Sequence, residues 1–511
     1  MSRKLDLLLV HPGSRRQVYQ VLAGNLAAVE PPVWAGLMAT FIRNHGFAVD
    51  IIDAEAEELG PQETAQRIVE MAPKLTAVVV YGHQPSASTQ NMTASGAICT
   101  ALKQLDASQK VILLGGHVAA LPQRTLRDED ADFTCTGEGP YTLLDLVRAQ
   151  QSAQSDYRAV RGLCFREDGV IVTNPPAPLV SEPDREMPEM AWDLLPMAKY
   201  RAHNWHCFGD LERQPYASLY TTFGCPFRCS FCCIQAPFKT GEKVAGWNEN
   251  VNSYRFWNPA TVVDQIGKLV ESYGIRNIKI ADEMFVLNPR HVLGICDAII
   301  ERGYQLNIWA YARVDTVKEG MLDKLKRAGV NWLAFGIEAA SERVRDDVDK
   351  SFGQEEIFQT LEKVRATGIN VIGNYIFGLP EDEVESMQAT LDMALDLNCE
   401  FANFYSAMAY PGSQLYNLAL KEGWPLPAKW SGYSQHAIDA LPLPTKHLSG
   451  AEVLRFRDRA FDVYFNSPRY VDLITRKFGV ETARHVKEMA SHKLERADIA
   501  QKTSAPLGIV A

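Results

Sequence analysis

The chain has 511 residues, with 52 lysines and arginines against 62 aspartates and glutamates, which gives a formal net charge of −10. Its 46% hydrophobic and 22% charged residues are typical of a globular protein and exclude a disordered, collagen-like or coiled-coil chain. The length leaves room for about three domains of ordinary size. Because nucleic-acid-binding proteins usually carry a surplus of basic residues, the acidic balance predicts no nucleic acid as a partner.

No stretch of the sequence is apolar over the ~18 residues that a membrane-spanning helix needs, so we expect no transmembrane segment. The apolar run at residues 5–10 is too short for the hydrophobic region of a secretory signal peptide. These observations predict a cytoplasmic protein whose ten cysteines stay reduced. In a reducing compartment, a tight group of cysteines indicates a metal or catalytic site rather than disulfides.

Residues 1–150 alternate short apolar runs with helical periodicity, which predicts a parallel, doubly wound Rossmann-like sheet. The predicted strands are residues 5–10, 48–52, 77–80, 111–114 and 133–136. In such sheets, ligands bind beyond the carboxyl ends of the strands, where glycines allow close approach to the backbone. The candidate binding residues at this edge are Pro12, His83, Gln84, Ser86, Gly115, Gly116, His117, Gly137, Glu138 and Gly139.

The rest of the chain is predicted to contain a linker, a second α/β domain and a helical domain. Residues 151–214 lack long periodic segments and are rich in proline, which predicts a linker region on the surface. Residues 215–425 predict a partial, TIM-like (β/α)6 barrel, and residues 426–511 a C-terminal helical domain. The barrel strands are predicted at residues 217–222, 277–281, 305–311, 332–337, 370–377 and 400–407.

Three cysteines within eight residues follow the first predicted barrel strand: Cys225, Cys229 and Cys232. Thiolates this close together cannot form useful disulfides, but they can hold three corners of an iron–sulfur cube. Cys233 is a poor fourth ligand because adjacent side chains diverge, so one iron would stay open to a substrate or cofactor. A structural zinc site is the less favoured alternative, since it needs four ligands and no second pair with suitable spacing is present.

The C-x3-C-x2-C spacing, with Phe231 just before the third cysteine, resembles the radical S-adenosylmethionine superfamily. This resemblance implies a [4Fe-4S] cluster held by the three cysteines and S-adenosylmethionine bound at its open iron. It further implies an electron donor of the flavodoxin or ferredoxin type.

Later strand ends resemble the S-adenosylmethionine-binding segments of the same superfamily. By that resemblance, Asp282 and Glu283 lie near the methionine amino group, Arg313 near the methionine carboxylate and Glu338 near the ribose. The chain departs from the usual pattern at residues 339–340, where two alanines replace the Ser-Gly of many members.

The N-terminal sheet, together with segments 31–37, 114–117 and 136–139, resembles the cobalamin-binding radical S-adenosylmethionine enzymes. The resemblance implies that cobalamin contacts the sheet-edge residues given above. The D-x-H-x-x-G motif that supplies a histidine to cobalt in other cobalamin proteins is absent after the first strand. Either His83 or Gln84 then faces the lower side of cobalt, as a ligand or as a wall, or His83 instead caps a helix or faces solvent.

A nicotinamide or flavin domain is the rival interpretation of the N-terminal sheet. Asp53 follows the second strand, as a ribose-binding acid would, but the G-x-G-x-x-G fingerprint is missing after the first strand. The cobalamin interpretation is therefore favoured.

The resemblance implies methylation of an unactivated sp3 carbon in a small or medium-sized metabolite, and a small-molecule or lipid-like substrate as the partner. A 5′-deoxyadenosyl radical would remove hydrogen and methylcobalamin would supply the methyl group. The first alternative is an oxidative cyclase or ring-rearranging enzyme similar to the anaerobic magnesium-protoporphyrin cyclase. The second is a cobalamin-binding sensor with a degenerate barrel.

Overall fold

Seven strands form the N-terminal sheet in the computed structural model, which describes residues 5–24, 26–152, 155–209 and 211–497. They are β1 Leu7–His11, β2 Val49–Asp53, β3 Leu75–Val79, β4 Val111–Leu114, β5 Phe133–Cys135, β6 Leu163–Glu167 and β7 Val170–Thr173. The order across the sheet is β2-β1-β3-β4-β5-β6-β7, with β1 to β5 parallel and β6 and β7 antiparallel. The five predicted parallel strands are therefore confirmed.

Helices cover both faces of this sheet, as a doubly wound fold requires. The side chains of β1 alternate between two cores: Leu7 and Leu9 pack in the core that contains α2, and Leu8 and Val10 in the core that contains α3 and α4. The helices are α1 Arg15–Tyr19, α2 Val33–Asn44, α3 Pro61–Met71, α4 Ala87–Leu105, α5 Gly116–Ala120, α6 Pro122–Asp128, α7 Pro140–Gln151 and α8 Pro183–Glu186.

The prediction of an irregular surface linker is wrong for part of residues 151–214. β6 and β7 form a hairpin that extends the sheet, and the side chains of Trp192 and Tyr200 are completely buried. The hairpin turns at Asp168 and Gly169, which have φ values of +50° and +80°. An Asp-Gly pair is a strong hairpin signal, but strands of five and four residues are too short to show a clear alternating pattern.

The second sheet has six parallel strands in the order β15-β14-β13-β12-β11-β8, and a separate two-stranded antiparallel ribbon pairs β9 with β10. All six predicted barrel strands are present. The bounds are β8 Tyr216–Leu219, β9 Thr222–Gly224, β10 Tyr254–Phe256, β11 Asn277–Ile280, β12 Asn307–Ala312, β13 Val330–Glu338, β14 Asn370–Phe377 and β15 Phe401–Ser406.

Helices connect the barrel strands and form the C-terminal region. They are α9 Lys239–Val244, α10 Pro259–Tyr273, α11 Pro289–Glu301, α12 Glu319–Arg327, α13 Glu342–Asp346, α14 Gln354–Ala366, α15 Val384–Leu397, α16 Gln414–Glu422, α17 Gly450–Phe465, α18 Pro468–Phe478 and α19 Val480–Ser491. In the described part of the chain, no helix combines the length and apolar character needed to cross a membrane. Residues 498–511 of the predicted helical domain lie outside the described residues.

Candidate functional site

The cysteine loop begins where β9 ends. Gly224, the last residue of β9, has a φ of +80°, and a Cβ at this position would overlap the carbonyl oxygen of Ser253. Only glycine fits this close approach without strain. The backbone therefore enters the loop at Cys225 in a direction that a larger residue at position 224 would disturb.

Backbone hydrogen bonds form a turn within the cysteine loop and hold it against two neighbouring segments. The backbone N–H of Cys232 donates to the carbonyl oxygen of Cys229 at 3.0 Å, which forms a turn between the second and third cysteines. Ser230 accepts from the backbone N–H of Leu415 at 2.8 Å and donates its own N–H to the carbonyl oxygen of Val348 at 3.3 Å. The loop that carries the thiols is thus fixed on the barrel.

The thiols of Cys225, Cys229 and Cys232 form no disulfide, and the structure places them close enough to interact electrostatically. Burial raises the pKa of all three, in Cys225 to about 12. Metal ligation requires thiolates, so these groups need a cation to replace the proton. Three thiols in one loop have the donor chemistry of iron–sulfur cluster ligands, although among the described residues no group of three ligating side chains is already arranged to hold a metal ion.

Arg313 follows β12 and lies directly beside the cysteine loop. Its guanidinium donates two hydrogen bonds of 2.9 Å to the carboxylate of Asp315, and its third nitrogen lies 3.6 Å from the sulfur of Cys229. It also lies over the ring of Phe227, 3.9 Å from the centroid. The structure therefore brings together the cysteines and the predicted carboxylate-binding arginine, which are far apart in sequence.

Glu338 ends β13 with a φ of +65°, an unusual conformation for a residue other than glycine. Its carboxylate forms a buried ion pair with Lys350. Lys350 also lowers the pKa of the nearby Cys229, although burial, which raises it, is the larger effect. The sequence analysis missed Lys350, since it matches no motif.

The adjacent acids Asp282 and Glu283 have different surroundings. The carboxylate of Asp282 accepts backbone hydrogen bonds from Thr221 and Thr222 at 2.6 and 3.1 Å, and it bonds the Thr221 hydroxyl as well. In contrast, the Oε1 atom of Glu283 is buried and has no hydrogen-bond partner among the described residues. Burial raises the pKa of Asp282 to about 6 and that of Glu283 to about 7.

Asp282 therefore fixes the turn between β8 and β9, whereas Glu283 faces a cavity. An unpartnered buried carboxylate is a ready acceptor for a ligand's ammonium group. Of the two acids that the sequence analysis grouped together, only Glu283 has an oxygen available for a ligand.

A cavity lies between the N-terminal sheet and the barrel. Its N-terminal wall comes from α2, the β3–α4 loop and the start of α5, and its barrel wall from the β8–β9 turn, the cysteine loop and the residue after Asp282. The lining includes Trp34, Gln84, Ser88 and Gly116 on the first wall and Tyr220, Phe223, Cys233, Phe238 and Glu283 on the second. The predicted cobalamin edge and the predicted S-adenosylmethionine site thus open into one space.

Aromatic rings form a continuous wall of this cavity. Trp34 stacks on Tyr81 with ring centroids 4.4 Å apart and on Phe223 with centroids 5.0 Å apart. Trp34 belongs to a segment used for the resemblance, but it was not predicted as a site residue. Stacked rings from both domains leave little room for water around a bound ligand.

The sheet-edge residues predicted to bind cobalamin fall into three groups. Gln84 and Gly116 line the cavity between the domains, and His83 lines a neighbouring cavity. Pro12 is buried at the end of β1, and Ser86 is half-buried before α4. Burial lowers the pKa of His83 to about 4, so its imidazole is neutral near pH 7.

Packing within the protein accounts for a second group. Gly115 and Gly139 have positive φ values, and an added Cβ would lie 2.7 Å from the carbonyl carbon of Val80 or 2.8 Å from Met38. A Cβ at Gly137 would lie 3.0 Å from the hydroxyl oxygen of a threonine in α9. These glycines therefore serve close packing whether or not a ligand binds.

The third group consists of His117 and Glu138, which are buried and engaged within the protein. His117 contacts the hydroxyl oxygen of Thr89 at 3.1 Å and lies against the ring of Trp430, although its Nε2 atom has no partner among the described residues. The carboxylate of Glu138 pairs with Arg255 at 2.8 Å and accepts the backbone N–H of Val180 at 2.8 Å. Glu138 thus joins the two domains instead of pointing to a ligand.

Two buried ion pairs connect the domains next to the cavity. Arg255 of β10, paired with Glu138, lies over the rings of Phe223 and Phe238 at 5.4 and 5.3 Å. Lys279 of β11 pairs with Glu30 at 3.0 Å. Neither pair was predicted, because no sequence signal links residues so far apart.

Asp53, the candidate ribose-binding acid of the rival interpretation, has a structural role. Its carboxylate accepts hydrogen bonds from the Tyr200 hydroxyl at 2.8 Å and from the backbone N–H of Ala56 at 3.1 Å. It is completely buried and does not line either cavity. The nicotinamide interpretation therefore gains no support from this residue.

Two family models match the chain: the B12 binding domain over residues 19–147 and the Radical SAM superfamily over residues 219–394. The uncharacterized methyltransferase PH0819 of Pyrococcus horikoshii is 27% identical over 466 residues, which are 91% of this chain and 93% of that protein. The anaerobic magnesium-protoporphyrin IX monomethyl ester cyclase of Rubrivivax gelatinosus is 25% identical over 81% of this chain and 69% of its own length.

A solved structure has the same architecture. The radical S-adenosylmethionine methyltransferase TsrM from Kitasatospora setae, with cobalamin and a [4Fe-4S] cluster bound, is 17% identical and superposes with a TM-score of 0.64. The superposition covers 96% of this chain and 100% of that one. The predicted fold class, with its N-terminal Rossmann-like domain, parallel barrel sheet and helical C-terminus, is confirmed.

Proposed function

Because the chain belongs to the cobalamin-binding radical S-adenosylmethionine enzymes, we propose that it transfers a methyl group to an unactivated sp3 carbon. The cofactors of this family are a [4Fe-4S] cluster, S-adenosylmethionine and cobalamin. The substrate is proposed to be a small or medium-sized metabolite, which includes lipid-like molecules. Support for methyl transfer comes from the similarity to PH0819, which extends over nearly the full length of both chains.

The observation that carries the proposal is a cavity that residues of both domains line together. Gln84 and Gly116 reach it from the sheet edge, and Glu283 reaches it from the barrel. Methyl transfer to a substrate radical requires the hydrogen-abstracting group and the methyl donor to act on the same carbon. A shared cavity allows this, whereas two separate pockets would not.

When bound, the cofactors supply a 5′-deoxyadenosyl radical that removes a hydrogen atom and a methyl group that replaces it. We assign Cys225, Cys229 and Cys232 to the cluster. The available carboxylate oxygen of Glu283 is assigned to the amino group of S-adenosylmethionine, and Arg313 to its carboxylate. Glu338, which is already paired with Lys350, is assigned only to the border of the site.

The chain also keeps water away from the reacting atoms. The stacked rings of Trp34, Tyr81 and Phe223 close one side of the cavity, and Phe238 extends this apolar surface. Exclusion of water protects reactive intermediates from side reactions. On the cobalamin side, His83 and Gln84 are the residues that would contact the cofactor, and we retain Asp282, Glu138 and His117 only as residues that shape the surroundings.

Anaerobic reconstitution with iron, sulfide and cobalamin tests the proposal. With strong reductant and the correct substrate, we expect S-adenosylhomocysteine and 5′-deoxyadenosine in equal amounts and a product heavier by one CH2. The triple variant with alanine at the three cluster cysteines should lose its iron and both products. Cys296→Ala removes a buried thiol of α11 away from the loop and serves as the matched control. Methylation by the triple variant would refute the proposal.

An oxidative cyclase is the second candidate, because the Rubrivivax gelatinosus cyclase matches 81% of this chain. A cyclase would form 5′-deoxyadenosine without S-adenosylhomocysteine, so the two products separate the candidates. The degenerate-sensor alternative is not supported, since the three cysteines and Arg313 lie together. A flavodoxin or ferredoxin-type electron donor and a cytoplasmic location stay predictions.

A further inference from the structure

Lys279 lies at the junction of three segments and has no role in the chemistry described above. Its Nζ atom contacts both carboxylate oxygens of Glu30, at 3.0 and 3.3 Å, and donates to the backbone carbonyl of His83 at 3.0 Å. The side chains of Lys279 and Glu30 are each only 3% exposed. His203 adds a second cation 3.6 Å from Glu30 when it is protonated.

The segments joined by Lys279 belong to opposite sides of the cavity. Lys279 itself is on β11, four residues before Glu283 in the same strand-and-turn segment. His83 lies in the loop between β3 and α4, where Gln84 lines the cavity between the domains. Lys279 therefore links the segment of Glu283 directly to the loop that carries His83 and Gln84.

Stability alone is a poor explanation for such an ion pair. A buried pair loses the hydration of both charges, and apolar residues of similar volume often fold as well or better. The hydrogen bond to the His83 carbonyl is different, because it fixes the backbone of one particular loop. Because the buried Lys279 has three acceptors at fixed places, its contacts set the position of the loop, which apolar packing would not do.

We propose that Lys279 is a positioning residue that holds the β3–α4 loop, residues 80–86, at a fixed place for cobalamin. This inference rests on the proposed function, since it assumes that the loop contacts cobalamin. The aromatic rings of Trp309 and Tyr311 lie 5.0 and 5.8 Å from Nζ and limit the movement of the ammonium group. The loop then keeps its distance from Glu283 when the cavity is empty and when it is filled.

The decisive variant is Glu30→Gln with Lys279→Met. Lys279→Met alone would leave the Glu30 carboxylate buried without its strongest partner and could prevent folding. The double variant removes both charges, and with them the donor to the His83 carbonyl. The matched control is Asp297→Asn with Lys324→Met, which removes an ion pair of 2.8 Å on the surface between α11 and α12.

Two quantities are measured on each reconstituted full-length protein: iron per chain and the dissociation constant for hydroxocobalamin, followed by its visible absorption. We expect the double variant to keep the iron content of the wild type. Its dissociation constant should rise about ten- to a hundredfold, the effect of losing a hydrogen bond from a charged donor. The control should match the wild type in both quantities.

Each other result overturns the inference. A double variant that binds hydroxocobalamin within twofold of the wild type would show that Lys279 does not position the loop. Loss of iron in the double variant would show a general effect on folding instead of a local one. A wild-type protein that binds no hydroxocobalamin would refute the proposed function as well, so the two failures are distinguishable.

Discussion

Replacement of Gly224 by alanine tests whether the entry into the cysteine loop depends on close packing. Gly224 has a φ of +80° and precedes the first cluster cysteine. An added Cβ would overlap the carbonyl oxygen of Ser253 and lie 3.2 Å from its carbonyl carbon. Ser253 precedes β10, which pairs with β9. Neither the backbone at Gly224 nor the backbone at Ser253 can therefore move without disturbing the pairing of the two strands.

Two costs add up in this variant. Any residue with a Cβ loses about 1–2 kcal/mol in a left-handed conformation. The overlap with Ser253 adds the cost of inserting a methyl group into a packed site, about 1–3 kcal/mol. Gly246 provides a matched control, because its φ is +76° but a Cβ there would meet nothing within 4 Å.

Gly224→Ala should therefore differ from Gly246→Ala by about 1–3 kcal/mol, the cost of the overlap alone. For a domain of this size, 2 kcal/mol corresponds to a fall in melting temperature of about 4–8 °C. Because the displaced backbone leads to Cys225, iron per chain should also decrease. Thermal unfolding and iron analysis of the reconstituted proteins measure both effects. Equal melting temperatures and equal iron contents in the two variants would refute the reasoning.

Three further predictions concern buried charges. Arg255→Met leaves the Glu138 carboxylate buried without its cation, so the free energy of unfolding should fall by about 3–5 kcal/mol. Adding Glu138→Gln should recover most of that loss, as measured by thermal unfolding. Burial raises the pKa of Glu283 to about 7, so wild-type protein should bind S-adenosylmethionine roughly tenfold more weakly at pH 6 than at pH 8. Equilibrium binding should show this extra pH dependence lost in Glu283→Gln. Burial also raises the pKa of Asp53 from 3.8 to about 7, so the folded state binds more protons than the unfolded state between these values. The free energy of unfolding should therefore fall by up to about 4 kcal/mol as the pH rises through that range. Asp53→Asn should flatten this pH dependence, which denaturant unfolding measures.

These predictions have separate contradictory outcomes. A double variant at Arg255 and Glu138 as unstable as Arg255→Met would mean that the unpaired carboxylate is not the cause. A pH profile of S-adenosylmethionine binding unchanged in Glu283→Gln would exclude that residue from the amino-group site. An Asp53→Asn protein with the pH dependence of the wild type would place the titration elsewhere.

Local patterns in the sequence were sufficient to predict much of this protein. The six barrel strands and the five parallel strands of the first sheet each carry their own apolar run, so their existence does not depend on distant residues. The three cysteines of the loop could also be recognised from local sequence, because all three lie within eight residues. The β6–β7 hairpin was missed although Asp168-Gly169 indicated it, since its strands are too short to show an alternating pattern.

Tertiary structure alone decided which charged side chains face the cavity and which connect the domains. Glu138 follows a sheet strand as a ligand-binding residue would, but Arg255, 117 residues away, engages its carboxylate. Lys279 meets Glu30 across 249 residues, and no pattern along the chain encodes that contact. Asp282 and Glu283 are adjacent carboxylates in different surroundings. The β8–β9 turn donates hydrogen bonds to the carboxylate of Asp282, whereas Oε1 of Glu283 has no hydrogen-bond partner among the described residues. The physical reason is that periodicity and motif spacing report on neighbouring residues, whereas the pairing of a buried charge depends on the surfaces that the complete fold brings together.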